Sequence, residues 1–317
     1  MNEKKEVIYM EHIVMFGAAG FIGTNLSLDY IKRKYSLTLV DTNTNFFLDE
    51  VKKNAIIKEM SFVEDADFSS VLKEGDIVYH LVSTTVPTTA NQHIAQELSA
   101  NIITTAKLLD ACVAKNVKKI VFISSGGTVY GKETGCPLPE ETPTYPINSY
   151  GLQKITIEKL LYLYNYMYGL DYRVIRLANP YGPYQRPNGI LGAITTFTYK
   201  AIKKQPIVVY GDGSVVRDFI YIDDAIAAIN KIVFEKSNYK TYNLGSGKGT
   251  SISEILNVIC KIYGSHITIK YEEGRSVDVH ENYLDISRFE KDFGKVSFVN
   301  LEEGIIKTGE FLKIYYN

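Results

Sequence analysis

The chain has 317 residues and is short of cysteine, histidine and unbalanced charge, and each shortage closes off a class of function. Its three cysteines, Cys112, Cys136 and Cys260, are scattered and odd in number, which suits a reducing cytoplasm and no disulfide framework. The five histidines show no metal-ligand spacing with them, so a metalloenzyme is not expected. Formal net charge is -1 and no basic block occurs, which argues against a nucleic-acid partner. No apolar run is long enough to cross a bilayer, and no secretory signal precedes the first strand, so a cytoplasmic protein without a membrane is expected. The first ten residues, including Glu3-Lys4-Lys5-Glu6, read as a short polar extension. Internal repeats and low-complexity segments are also lacking.

What remains is a 45% hydrophobic chain, enough for one large α/β domain with a smaller one appended. Apolar strands His12–Phe16, Leu37–Val40, Ala55–Ile57, Asp76–Val82 and Lys119–Ser124 alternate with helical patterns at Phe21–Arg33, Asp67–Leu72 and Asn91–Lys115. Such alternation predicts a doubly wound parallel sheet of the Rossmann type, with ligands at the carboxyl ends of its strands. Polar motifs fall at those ends: Ser83-Thr84-Thr85, Ser124 to Tyr130, and Asn179-Pro180-Tyr181-Gly182. From about Asn179 the elements shorten. Residues 1–178, with a returning segment near 219–245, are therefore expected to form the dinucleotide-binding domain, and 179–317 mainly a smaller mixed substrate domain.

Two motifs carry the chemistry. Gly17-Ala18-Ala19-Gly20-Phe21-Ile22-Gly23 lies between a strand and a helix, the context a dinucleotide loop requires. Glycines permit a tight turn and a close approach of backbone to pyrophosphate at the positive end of the helix. Asp41 ends the next strand, where a carboxylate binds both hydroxyls of the adenine ribose and repels a 2′-phosphate. NAD is thus expected in preference to NADP. Later, Tyr150-Gly151-Leu152-Gln153-Lys154 sets a phenol and an ammonium one helical turn apart. A phenol titrates near 10, so use as a base near pH 7 needs about three units of help, roughly 4 kcal/mol. The Lys154 ammonium and the positive nicotinamide ring are expected to supply it.

With these motifs in this order, the chain resembles the extended short-chain dehydrogenase/reductases, and among them the NAD-dependent sugar-nucleotide epimerase/dehydratase family. The likeness runs from about residue 11 to 310. It includes His80-Leu81-Val82-Ser83, Asn101, Ser124-Ser125-Gly126-Gly127-Thr128-Val129-Tyr130-Gly131, Arg176-Leu177-Ala178-Asn179, Gly211-Asp212-Gly213, Arg217-Asp218-Phe219-Ile220, Tyr242-Asn243-Leu244-Gly245 and Gly274-Arg275-Ser276-Val277-Asp278-Val279. The resemblance implies a UDP-linked sugar substrate and a homodimer built on the helix that starts near Ser149 and the one at 91–115. It also implies cofactor contacts from Asn43, Ser61, Phe62, Leu81, Val82, Ser83, Asn101 and Ser124, besides Gly17, Gly20, Phe21, Ile22, Gly23, Asp41, Tyr150 and Lys154. Substrate contacts are implied for Thr85, Thr128, Asn179, Tyr210, Arg217, Arg275, Asp278 and Asn282. Guanidinium forks at 217 and 275 suit a diphosphate.

The family's 4,6-dehydratases carry an Asp-Glu pair where this chain has Gly127 and Thr128, and its decarboxylases place a glutamate there. Both are missing, which favours a 4-epimerase that oxidises and re-reduces one carbon, on UDP-glucose/UDP-galactose or the N-acetylated sugars. A UDP-hexuronate 4-epimerase, a keto-sugar-nucleotide reductase and a non-catalytic dinucleotide sensor stay open, the last opposed by intact Tyr150 and Lys154. Two departures stand out. Gly126 occupies the position where many members have Ser or Thr, so Thr128 or else Ser125 is expected to supply the hydroxyl, Thr128 being preferred. Ser61 replaces the usual Asp near the adenine, leaving that contact to the backbone around Phe62. Asn282 stands where a bulky tyrosine restricts some epimerases to unacetylated hexoses, and its smaller side chain leaves room for an acetamido group.

Overall fold

The computed structural model describes residues 11–85, 87, 90–132, 135–187, 192–264, 267–274 and 279–316. The first half runs β1 (His12–Phe16), α1 (Phe21–Lys32), β2 (Ser36–Asp41), α2 (Asp49–Asn54), β3 (Ile56–Glu59) and β4 (Ile77–His80). It continues through α3 (Ile94–Leu98), α4 (Thr104–Ala114), β5 (Lys119–Ser125), α5 (Ser149–Tyr168) and β6 (Tyr172–Leu177). These strands and β10 (Thr241–Leu244) make a seven-stranded sheet in the order β10-β6-β5-β4-β1-β2-β3, every pair parallel. The order reverses at β1, whose neighbours are β2 and β4, and the glycine loop leaves β1 at that crevice.

Alternation along the strands explains the two covers. Ile13, Met15, Tyr79, Val121, Ile123 and Ile175 point to one face, where Leu26 and Tyr30 of α1 pack beside Ile226 and Ile229 of α7 (Ile222–Phe234). Val14, Phe16, Val78, Ile120, Phe122 and Val174 point to the other, under Leu108 and Leu109 of α4 and Ile157 and Leu161 of α5. Each such buried aliphatic or aromatic side chain contributes about 1.5–3 kcal/mol. Strands buried on both faces read as continuous apolar runs, which is why they were visible in the sequence.

Beyond β6 the chain forms β7 (Asn179–Tyr181), α6 (Ala193–Ile202), β8 (Ile207–Tyr210) and β9 (Val216–Tyr221), then α7 and β10. After them come β11 (Gly249–Ser251), α8 (Ile252–Tyr263), β12 (Ile269–Glu272), β13 (Glu281–Asn282), α9 (Ser287–Phe293) and α10 (Leu301–Tyr315). β9 is the hub of a second sheet, flanked by antiparallel β11 and parallel β13, with β7 also pairing to it. Ile194, Phe197, Ile207, Val209, Ile255, Ile259 and Ile305 form its separate core.

Two expectations need correction, and one helix was not expected. The segment 91–115 is not one helix: α3 and α4 are joined by a π-helical turn over Ser99–Ile103. Within that turn the Asn101 carbonyl accepts from the Thr105 hydroxyl at 2.5 Å, while its side chain reaches out to the loop after β4. The expected helix at 67–72 is a 3-10 turn over Phe68–Val71, ending before Leu72, whose backbone is extended. Helix α2, with Val51 its one buried residue, carries too weak an apolar period to be read from sequence. Among the described residues no helix is long and apolar enough to cross a membrane, and no three His, Cys, Asp or Glu are grouped to hold a metal ion.

Candidate active site

The glycine loop is built by backbone economy. Gly17 has φ +81°, and a Cβ on it would lie 3.1 Å from the backbone of Leu81 and Val82, so the ends of β1 and β4 close on each other only through glycine. Gly17 and Ala18 donate to the Val40 carbonyl at 2.9 and 3.2 Å, and Ala19 N–H donates to Asp41 Oδ2 at 2.9 Å. A Cβ on Gly23 would lie 2.5 Å from the Ala18 carbonyl oxygen, which seats α1 directly on the loop. No side chain caps α1 at Gly20, so its first turn, with Phe21 and Ile22, presents N–H groups to the loop. A tethered ribose-side carboxylate and an uncapped helix start fit a dinucleotide.

Other expected cofactor residues are placed less directly. Asn43 Oδ1 accepts from Asn45 N–H at 3.1 Å, and Ser61 is exposed. Phe62 turns its ring into the core against Phe16, Phe68 and His80, which leaves only its backbone for a ligand. Ser83 donates to the Thr85 carbonyl at 2.7 Å. Asn101 accepts from Thr84 N–H at 3.1 Å and donates to the Thr84 hydroxyl at 2.7 Å, so its amide holds the loop that continues from Leu81 and Val82. Thr85 is buried. The Ser124 hydroxyl donates to Glu158 Oε1 at 2.6 Å, behind the crevice, so a cofactor contact from Ser124 would come from its backbone.

Helix α5 delivers the tyrosine and lysine. Asn148 caps it, accepting from Gly151 N–H at 2.8 Å. A Cβ on Gly151 would lie 2.6 Å from the Thr128 carbonyl oxygen and 2.8 Å from Pro146 Cβ, so glycine after Tyr150 lets the first turn rest on the loop after β5. Lys154, 6% exposed, donates to the Ile123 carbonyl at 2.9 Å, with its Nζ 4.7 Å from the centroid of Phe122 and 5.5 Å from that of Tyr150. Burial lowers Lys154 to about 8, against the Glu158 carboxylate, which raises it. Burial pushes Tyr150 up to about 12, opposed by its hydrogen bond with Ser125. The protein alone therefore does not depress the phenol. Burial thus widens the gap to neutral pH beyond that of an unburied phenol.

The two candidate hydroxyls are placed differently. Ser125, not Thr128, hydrogen-bonds Tyr150, while Thr128 Oγ1 is buried without a partner among the described residues. Gly126 has a steric reason as well: a Cβ there would lie 2.5 Å from Leu284 Cδ1 and 3.1 Å from the Arg176 carbonyl oxygen. Leu284 fills the space that a larger residue would take.

On the second sheet, Asn282 of β13 is the register partner of Arg217 in β9, which sets both on one face. Arg217 Nη1 donates to the Val216 carbonyl at 2.8 Å, and Asn282 is 2% exposed with its amide nitrogen unpartnered among the described residues. Asn179 donates to the Asp218 carbonyl at 2.8 Å, tying β7 to β9, and Tyr210 is exposed at the end of β8. Arg275 and Asp278 lie outside the described residues. Sequence reasoning gave no role to Asp218, which is 1% exposed and accepts from Ser246 N–H and Oγ at 2.7 Å, Gly247 N–H at 3.2 Å and Leu284 N–H at 3.3 Å. Nor did it single out Glu158 and Arg176; a charge inside each apolar segment was the available signal.

Known proteins place this geometry. The pattern of the NAD dependent epimerase/dehydratase family matches residues 13–245. The chain is 32% identical over 307 residues to a putative UDP-glucose 4-epimerase of Methanocaldococcus jannaschii, covering 95% of this chain and 98% of that one. Its fold matches the UDP-glucose 4-epimerase of Thermotoga maritima, solved with UDP-glucose, at a TM-score of 0.90 and 32% identity over 96% of this chain and 100% of that one. It also matches the UDP-glucuronic acid 4-epimerase of Bacillus cereus, solved with UDP-glucuronic acid and NAD, at a TM-score of 0.87 and 26% identity over 96% and 100% of the two chains. A glycine loop with its carboxylate, a tyrosine and lysine on one helix turn, and full-length likeness converge: the chain belongs to the NAD-dependent epimerase/dehydratase family and is a nucleotide-sugar enzyme that uses NAD.

Proposed function

We propose that the protein is a 4-epimerase of UDP-hexoses, UDP-glucose and UDP-galactose first, acting through a transient 4-keto sugar. The observation that carries this reading is the minimal site: Tyr150, Ser125 and Lys154 stand together, and Gly127 and Thr128 leave no carboxylic acid beside them for elimination or decarboxylation. Residues 1–178 with the returning segment near 219–245 hold the dinucleotide, and the rest of 179–317 receives the sugar nucleotide. Arg217, Arg275 and Asn179 bind its diphosphate and Asp278 its ribose.

The chemistry that NAD supplies when bound is reversible acceptance of a hydride from the sugar C4. Tyr150 takes the O4 proton as that hydride leaves, with Ser125 hydrogen-bonded to the phenolate oxygen and Lys154 stabilising its charge. The planar keto sugar turns about its diphosphate tether and presents its opposite face. Tyr150 then returns the proton, and configuration at C4 is inverted. Because no net redox occurs, the cofactor is retained through the cycle. The amide nitrogen of Asn282, without a partner among the described residues, offers a donor to an acetamido carbonyl, which supports acceptance of UDP-N-acetylglucosamine.

Incubating UDP-glucose and UDP-N-acetylglucosamine separately with purified protein and no added nicotinamide, followed by NMR, tests the proposal. The galacto epimer is expected. No conversion after NAD is supplied would sink it, and turnover of UDP-glucuronate or of a keto-sugar nucleotide instead would name its replacement.

The working unit is a homodimer. Tyr162, Leu163, Tyr166 and Met167 of α5 lie on its outer side, 48–76% exposed, with Ile94 and Ile103 of the adjoining segment exposed beside the same helix pair. A second copy covers this face, joining α5 and the 91–115 segment of each protomer. A monomer mass by light scattering at micromolar concentration would refute it.

A further inference from the structure

One buried ion pair near the site has no part in the chemistry above. Glu158 lies on α5 one turn after Lys154, and it meets Arg176 of β6 with the two side chains 6% and 8% exposed. Arg176 Nη2 donates to Glu158 Oε2 at 2.8 Å, Arg176 Nε spans both carboxylate oxygens at 3.2 and 3.3 Å, and Ser124 adds its hydroxyl at 2.6 Å. The guanidinium is fixed in turn. Its Nη1 donates to the Tyr130 hydroxyl at 2.9 Å, which donates to Asn243 Oδ1 at 2.6 Å in β10. The carboxylate behind Lys154 is thus clamped by three neighbouring strands.

A buried charge pair is a poor way to gain stability, because desolvating both ions cancels most of their attraction. Its placement suggests another purpose. Besides Glu158, the groups around the buried Lys154 ammonium are neutral; the Ile123 carbonyl and the Phe122 face favour the cation, but neither carries a full negative charge. On β4, His80 is driven by burial to about 3 and stays neutral. On β5 stand the Phe122 ring and the Ile123 carbonyl, and on α5 the protonated Tyr150. Glu158 is the negative group acting on Lys154 from the helix they share, and Arg176, from β6, is hydrogen-bonded to that carboxylate.

We propose that Glu158, clamped by Arg176 and Ser124, is a positioning residue that keeps the Lys154 ammonium charged at the active site. The inference rests on the role given to Lys154 above. It explains why a helix packed against an apolar sheet buries a carboxylate at this turn. A neutral amine would bind a ribose hydroxyl but would not stabilise a phenolate, so the charge, not merely the reach, of Lys154 has to be held. The Ser124 hydroxyl also acquires a use distinct from cofactor contact: it orients the carboxylate.

The test reads Lys154 itself. Protein labelled with carbon-13 at the lysine ε-carbons is titrated by NMR, and the Lys154 signal is identified by its loss in Lys154→Arg. Wild type is expected to titrate near 8. Glu158→Gln should lower that midpoint by about one unit or more, because an opposite charge nearby favours the ammonium by this order. Glu158→Asp should keep most of the effect. Since Glu158→Gln strands a buried guanidinium, the double variant Glu158→Gln/Arg176→Met removes both charges and is the safer fold; its midpoint should fall as well. An unchanged Lys154 midpoint in either folded charge-removing variant overturns the proposal. Because this reading needs no substrate, it stands or falls separately from the 4-epimerase assignment. In an active enzyme the same variants should lose turnover on the alkaline side at lower pH, with KM for UDP-glucose held.

Discussion

Replacing Ser125 by alanine isolates the least expected feature of the site. Burial pushes Tyr150 up to about 12, so the phenol stays protonated at pH 7 before a ligand arrives. The Ser125 hydrogen bond is the side-chain contact that opposes this. A hydrogen bond to a charged group contributes about 1.5–3 kcal/mol, equivalent to about one to two further units on Tyr150 and about 10- to 100-fold in the ionised fraction. Ser125→Ala is therefore expected to lower the turnover number for UDP-glucose at pH 7 by about 10- to 100-fold, with little change in Tm. Thr128→Val is the matched control. Its hydroxyl is buried with no partner among the described residues, so an isosteric methyl should leave turnover intact and stability equal or slightly higher. The assay is initial-rate formation of the galacto epimer by NMR, with melting temperature and UDP-glucose binding measured alongside. Full turnover in Ser125→Ala, or a tenfold loss in Thr128→Val with binding intact, would refute the reasoning. In both proteins activity should fall above about pH 8, where Lys154 loses its proton.

Gly126→Ser should not behave as a gain of function: its Cβ meets Leu284 Cδ1 at 2.5 Å, and overpacking costs about 1–3 kcal/mol, seen as a lower Tm that Leu284→Ala partly restores. Asn282→Tyr should keep UDP-glucose turnover and lose UDP-N-acetylglucosamine turnover by at least tenfold; an unaffected acetylated substrate would remove Asn282 from the specificity argument. Asp41→Asn removes the charge tethered by Ala19 and should weaken NAD retention through gel filtration while narrowing the preference for NAD over NADP.

Much of the fold was legible because its signals are local. β1 and β5 are buried on both faces, so they read as apolar runs, and Gly17 to Gly23 mark the turn between β1 and α1. Tyr150 and Lys154 stood out through helical spacing only in company with the glycine loop and the serine-bearing strand end before them. What stayed hidden depends on partners far along the chain. That Ser125 is the hydroxyl bonded to Tyr150 depends on where α5 lands on the loop after β5, and Gly126 is explained by Leu284, more than 150 residues away. The level at which Tyr150 titrates is set by burial, which no spacing reveals. Glu158 and Arg176 look like misplaced charges in the sequence and become a pair only when α5 crosses β6.

The π-helical turn at Ser99–Ile103 restricts how this enzyme can change over generations. An α-helix turns about 100° per residue, and the wider turn accommodates one residue more than α3 and α4 would need to run on continuously. Substitutions inside it alter side chains while leaving the count alone. Deleting any one of the five would let the segment relax into regular helix, rotating α3 by about 100° against α4 and swinging Asn101 off Thr84. The loop after β4 would lose its anchor in a single step. Length, more than identity, is what descent must preserve here, and descendants of this chain should vary in letters at 99–103 without ever becoming shorter.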